Sequence, residues 1–358
     1  MPKKRIYIVY TGGTIGMVKT PDGYTPAPGN LEREMAQIRK LSDPTMPDYT
    51  VHQYDPLLDS ANITPADWTK IARDIEKNYD DYDGFVVLHG TDTMAYTASA
   101  LPFMFQGFQK PVILTGSQIP LCEVRNDGRE NLITSLLIAA NYPIKEVCLY
   151  FGNRLLRGCR AVKKSADGFD AFESPNFPPL GTVGVDIEIN EPLLAQPSGA
   201  SALRVREIRE APVCALRLFP GISAQLVRRM LQSPLQGLIL EAYGVGNGPD
   251  HDQEFLDTLR EATSRGVVIV VCTQCLSGTI NLAGYRSGSA LAKAGVISGH
   301  DMTPEAALAK MLYLFSQGHS AASVKEKMGQ NLRNELTPSK TPQTPALPVK
   351  DDLAHRLA

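Results

Sequence analysis

The chain has 358 residues, room for about two domains at roughly 150 residues each, and its 36 Lys and Arg against 38 Asp and Glu leave a formal net charge of −2. That near-balance argues against a nucleic-acid module or a binder of anionic membranes, and 43% hydrophobic with 21% charged residues argues against intrinsic disorder and a coiled coil. The longest uninterrupted apolar run, Val267 to Cys272, falls far short of the roughly 20 residues that span a bilayer.

In chain order, a basic start (Lys3-Lys4-Arg5) leads into the apolar run from Ile6 to Tyr10. That run is shorter than the core of about 7–15 residues in a signal peptide, so residence in the cytoplasm, with reduced cysteines, is expected. Ile6 to Tyr10 reads as a strand ending in Thr11-Gly-Gly-Thr14. Thr64-Pro65-Ala66-Asp67 offers an N-cap, a proline at the first helical position and an acid in the first turn, which predicts a helix to about Asn78. Phe85 to Leu88 is a second strand before His89-Gly-Thr-Asp-Thr93, and Val112 to Leu114 a third before Thr115-Gly-Ser-Gln118. Helices are expected from Asp92 to Phe105 and from Asn126 to Ala140, and Val147 to Phe151 is a further strand. Continuous β-branched runs suit strands buried on both faces of a parallel sheet, and their alternation with helices reads as an α/β doubly wound fold.

From Phe172 to about Arg209 the chain is rich in proline and glycine and holds one expected short strand, Val183 to Ile189. The alternation then resumes: strand Val213 to Leu218, helix from Ser223, strand Gly237 to Tyr243, helix Asp252 to Arg265, strand Val267 to Cys272, and a final helix from Thr303 to Ser316. The expected division is a larger domain over 1–190, a linker over 191–212, a smaller α/β domain over 213–336, and a disordered tail over 337–358, where four prolines fall in the first twelve residues.

In open α/β sheets, ligands bind at the carboxyl ends of strands. The first three predicted strands end in hydroxyl-rich turns, so Thr14, Thr91, Asp92 and Ser117 are candidates to share one crevice. Thr11 to Gly16 has two readings: a tight turn whose glycines supply positive φ, or a nucleophilic Thr14 held exposed beside backbone amides that stabilise an oxyanion. It fits neither G-x-G-x-x-G nor G-x-x-x-x-G-K-[ST], which disfavours nucleotide binding. For His89-Gly-Thr-Asp-Thr93 the alternatives are a helix cap at Thr91 or Asp92 and a second reactive turn. No G-x-S-x-G elbow appears, and the six histidines form no H-E-x-x-H pair. The lone C-x-x-C of Cys272 and Cys275 reads as packing rather than a metal or redox site.

Tyr10-Thr-Gly-Gly-Thr-Ile-Gly16 and His89-Gly-Thr-Asp-Thr-Met94 together resemble the two signature motifs of the bacterial-type L-asparaginase and glutaminase family. Leu57-Leu-Asp-Ser60, Thr115-Gly-Ser-Gln-Ile-Pro120, Ala166-Asp-Gly-Phe-Asp-Ala-Phe172 and Ala242-Tyr-Gly-Val-Gly-Asn247 look like its cytoplasmic type I branch. The resemblance implies a larger N-terminal domain with a flavodoxin-like parallel sheet and a smaller C-terminal α/β domain. It also implies hydrolysis of L-asparagine to L-aspartate and ammonia, through a threonine acyl-enzyme and with neither metal nor organic cofactor.

Carried over by position, Thr14 matches the nucleophile and Tyr24 the tyrosine of a mobile loop that assists proton removal. Thr91, Asp92 and Lys163 match the second hydroxyl, carboxylate and amine cluster; Lys164 follows, leaving that register open by one residue. Asp59 and Ser60 match the groups that grasp the α-ammonium and α-carboxylate, although alone they read as an ordinary turn. Ser117 matches the position whose backbone carbonyl meets the substrate amide, and Asn247 a residue lent by a neighbouring subunit. The family points to homodimers or homotetramers acting on a small molecule, with no nucleic acid or membrane partner. Some type I relatives hold a regulatory asparagine with an arginine where this chain has Glu241, so that regulation is not expected here. Two other readings are a glutaminase or mixed amidase and a non-catalytic amino-acid sensor on the same fold. The amidase part of a transamidation complex would be expected to carry an added domain.

Overall fold

The computed structural model describes residues 3–196 and 202–338, so 339–358 of the expected tail and 197–201 of the expected linker lie outside the described residues. The chain opens with β1 (Arg5–Gly12), a hairpin of β2 (Met17–Thr20) and β3 (Gly23–Pro26), α1 (Asn30–Gln37) and β4 (Asp48–Leu58). Next come α2 (Pro65–Lys77), β5 (Gly84–Leu88), α3 (Met94–Met104), the short β6 (Phe105–Gln106), β7 (Val112–Thr115), α4 (Gly128–Asn141) and β8 (Val147–Phe151). Short strands follow: β9 (Arg154–Arg157), β10 (Val162–Lys163), β11 (Phe172–Glu173), β12 (Gly181–Val183), β13 (Ile187–Ile189) and β14 (Arg204–Val205). The second half holds β15 (Val213–Arg217), α5 (Ala224–Met230), β16 (Gly237–Ala242), α6 (Gln253–Ser264), β17 (Val268–Thr273), α7 (Arg286–Lys293), β18 (Ile297–Ser298), α8 (Pro304–Ser316) and α9 (Ala321–Met328).

The larger sheet has eight strands in the order β13-β12-β9-β8-β7-β5-β1-β4. Strands β4, β1, β5, β7 and β8 run parallel, while β9, β12 and β13 are antiparallel to their neighbours. The expected parallel sheet is the five-stranded core, which β9, β12 and β13 extend with antiparallel strands at one edge. The reversal occurs at Gly152-Asn153, with φ of 55° and 65°, two positive values that suit a two-residue hairpin. Strand residues alternate between the sheet's two faces. Tyr7 and Val9 pack toward Trp68, Ile71 and Ile75 of α2, whereas Ile6, Ile8 and Tyr10 face Leu31 and Met35 of α1 and Leu132 and Leu136 of α4.

The smaller sheet is fully parallel, β15-β16-β17-β18. It meets the larger unit where α8, packed on it, lies against α3 and Phe103 and Tyr313 stack with centroids 5.8 Å apart. The expected strand from Val183 to Ile189 is the β12–β13 hairpin, and the helix ending at Ser316 is not the last, because Ser320 caps α9 by accepting from Ser323 N. Among the described residues no helix is long and apolar enough to cross a membrane.

Candidate active site

Three turns at the carboxyl ends of parallel strands are pressed together by glycines. At the end of β1, Gly12 and Gly13 take φ of 136° and 90°. A Cβ on Gly12 would lie 2.1 Å from Leu58 O, and one on Gly13 2.5 Å from Gly90 N. A Cβ on Gly90 would in turn lie 2.4 Å from Ser60 Oγ. Backbone thus packs on backbone at Gly12 and Gly13 and on the Ser60 side chain at Gly90, approaches that only glycine permits, and Thr14, Asp59, Ser60, Thr91, Asp92 and Lys163 line a single cavity of about 250 Å³. Gln118 and Met17 line it as well.

Lys163 is the centre of the polar cluster. Its Nζ donates to Thr91 Oγ1 at 2.9 Å and to Asp92 Oδ1 at 2.7 Å. Lys164, the residue just after β10, points the other way, to Asp170 (2.8 Å) and Glu173 (3.4 Å). The register left open by the sequence is set by the pairing of Lys163 with Phe172 of β11. The alternative of a helix cap at Thr91 or Asp92 does not hold: the cap position of α3 is Thr93, whose hydroxyl donates to Ser60 O at 2.7 Å. Asp59 Oδ1 accepts from Ala61 N at 3.1 Å, which closes the turn that presents Ser60. The Thr14 hydroxyl, on the 3-10 turn Thr14–Gly16, has no hydrogen bond to any of the described residues.

His89 lies beneath the second turn. Trp68 Nε1 can only donate, and it does so to Thr97 Oγ1 at 3.1 Å; the Thr97 hydroxyl then donates to His89 Nε2 at 2.9 Å, and Nδ1 donates to Gly90 O at 2.7 Å. The ring is thereby held neutral in one tautomer, and burial pushes its pKa down to about 4. It supports the Gly90 backbone and is not among the cavity-lining side chains.

Three expected site residues stand apart from the cavity. Tyr24, on β3 and 44% exposed, turns outward to donate to Glu123 Oε1 at 2.9 Å, a hydrogen bond that raises its pKa above the ordinary phenol value. Ser117 is buried with its hydroxyl unpartnered among the described residues, and the cavity is lined instead by the next residue, Gln118. Asn247 lies in the loop after β16, where its Oδ1 accepts from Ser287 Oγ at 2.8 Å. Glu241 lines a separate cavity of about 220 Å³, beside Arg217 at 3.4 Å. Of the C-x-x-C pair expected to pack, Cys272 is buried in the core but Cys275, beyond the strand end, is exposed.

Residues 5–195 match the family described as Asparaginase, N-terminal, and residues 212–328 match the Glutaminase/Asparaginase C-terminal domain. The chain belongs to the asparaginase family of amidohydrolases. L-asparaginase 1 of Escherichia coli strain K12 is 55% identical over 339 residues, 94% of this chain and 99% of that protein. The human 60 kDa lysophospholipase is 48% identical over 94% of this chain, which spans 62% of that longer protein. The crystal structure of L-asparaginase I from Vibrio cholerae superposes with a TM-score of 0.86 at 52% identity, covering 94% of this chain and all 100% of the other.

Among the lining residues that sequence reasoning leaves out of this asparaginase-family site, Met17 included, Gln118 is the polar side chain. Its position directly after Thr115-Gly-Ser, at the end of the third strand, was the available signal, but which residue of a turn faces the crevice depends on the turn's backbone and not on its composition.

Proposed function

We propose that the chain hydrolyses L-asparagine to L-aspartate and ammonia through an ester on Thr14. The observation that carries the reading is the single cavity in which Thr14 shares walls with the Lys163–Thr91–Asp92 cluster. Thr14 Oγ1 attacks the side-chain amide carbon as its proton passes to a base, and backbone amides at the first turn stabilise the oxyanion. The C–N bond then breaks, and nitrogen leaves as ammonia with the proton. Water held at Thr91 and Lys163 attacks the ester, releasing aspartate and restoring the Thr14 hydroxyl.

A free amino acid brings an ammonium and a carboxylate. Asp59 and the outer oxygen of Asp92, whose side chain is 66% exposed, suit the first, and the Ser60 hydroxyl suits the second. Tyr24 assists proton removal once the β2–β3 hairpin brings it inward from Glu123. The Ser117 carbonyl and Asn247 of a second copy complete the site, in a homodimer or homotetramer acting in the cytoplasm without metal or organic cofactor.

The test is ammonia release by the purified chain from L-asparagine and L-glutamine. A kcat/KM for asparagine exceeding that for glutamine is expected; one methylene is worth about 1–3 kcal/mol, so the ratio should lie between about 10 and 200. A preference for glutamine would favour the mixed amidase, and saturable binding with no turnover would favour a sensor.

A further inference from the structure

Gln118 joins the reacting cluster to the loop that follows Lys163. Its Nε2 donates to Ala166 O and Gly168 O, each at 3.1 Å, and its Oε1 accepts from Thr91 Oγ1 at 3.2 Å. Carbonyl oxygens only accept, so the amide nitrogen must face the loop and the amide oxygen must face Thr91. The main chain is equally fixed: the N–H groups of Gln118 and Ile119 both donate to the Asp127 carboxylate at 3.0 Å.

The consequence lies in where the Thr91 proton points. The Lys163 ammonium can only donate, so Thr91 Oγ1 accepts there and must send its own hydrogen elsewhere. Gln118 Oε1 takes it, which leaves the second lone pair of Thr91 as the group that can meet a water in the cavity. We propose that Gln118 is a positioning residue that holds the Thr91 hydroxyl as a hydrogen-bond acceptor toward the hydrolytic water and thereby sets the rate of deacylation. This rests on the Thr14 ester described above. Without the amide oxygen, the Thr91 hydrogen is free to turn into the cavity and present a donor to water, the wrong polarity for drawing off its proton.

The experiment compares the full-length wild type with Gln118→Met and Gln118→Glu, by steady-state and rapid-quench ammonia release from L-asparagine. In Gln118→Met, which keeps the length and loses both functions of the amide, kcat is expected to fall about 10-fold or more and KM to fall with it, so that kcat/KM, which reports acylation, changes less than about 3-fold. Slow ester hydrolysis should also produce an initial burst of ammonia approaching one equivalent per site, a signature that a loosened fold does not give. Gln118→Glu restores an acceptor for Thr91 and is expected to recover part of kcat and to lose the burst. A Gln118→Met enzyme within twofold of wild-type kcat, or one impaired without a burst, overturns the proposal. If Gln118→Met does not fold, a slow Gln118→Glu enzyme with a full burst overturns it, and one without a burst supports it. A wild type that releases no ammonia sinks the proposed function and this role together; a wild type that turns over beside an unimpaired Gln118→Met sinks the role alone.

Discussion

Thr14→Ala is expected to lower ammonia release from L-asparagine by at least about a thousandfold at saturating substrate, with the fold intact. The side chain sits on a 3-10 turn whose shape is dictated by Gly12 and Gly13, not by its own hydroxyl. Removing one methyl and one hydroxyl that bonds to none of the described residues should therefore leave thermal unfolding close to that of wild type. Loss of activity without loss of stability separates chemistry from scaffolding. Thr14→Ser, which keeps the hydroxyl, should retain measurable turnover. A Thr14→Ala chain that keeps its rate would move the nucleophile elsewhere, Thr91 being the next candidate in the same cavity.

The largest effect on stability is expected at Lys310 and Glu335, both 0% exposed and paired at 2.6 Å. Burial lowers the pKa of Lys310, while Glu335 beside it favours the charged form. The ammonium also donates to Met328 O and Gln330 O, and the carboxylate accepts from the backbone N–H groups of Leu332 and Arg333. Lys310→Met would leave a buried carboxylate without its counter-charge, at a cost of about 3–5 kcal/mol, read as a lower urea midpoint. Lys310→Met with Glu335→Leu should recover much of that loss, because a buried ion pair offsets little more than its own desolvation. The pair secures the segment that carries Asn334 and Thr337 to Arg160 and Asp301. Since Arg160 lies three residues before Lys163, the double variant should also keep most of the activity. A Lys310→Met chain within about 1 kcal/mol of wild type would contradict this reading of the pair.

How much of this was legible in the sequence follows from burial. β1, β5, β7 and β8 are buried on both faces, so they appear as uninterrupted apolar runs. α2 and α8 announce themselves by their caps: Thr64 N donates to Asp67, and the Thr303 side chain accepts from Ala306 N. β4 went unread because it is an edge strand, largely exposed, with Pro56 inside it. The β2–β3 hairpin offered Pro21-Asp22-Gly23 as its turn signal, but its short strands bury too little to show a period.

The glycine-hydroxyl turns point to the cavity because each glycine is required by a close approach, of backbone at Gly12, Gly13 and Gly116 and of the Ser60 side chain at Gly90. Side-chain direction was less accessible. Lys163 ends a two-residue strand and Lys164 follows it, and which of them faces the cavity is fixed by the pairing of Lys163 with Phe172, nine residues away in sequence. Tyr24 is held outward by Glu123, 99 positions along the chain, a contact without any local signature.

The most direct measurement is the site of covalent attachment. The wild-type chain is mixed with L-asparagine, quenched in acid within the first turnovers, digested and mapped by mass. An aspartyl ester on the peptide carrying Thr14, absent from Thr14→Ala, is the predicted result. Turnover with no ester, or with the ester on Thr91, would contradict the account.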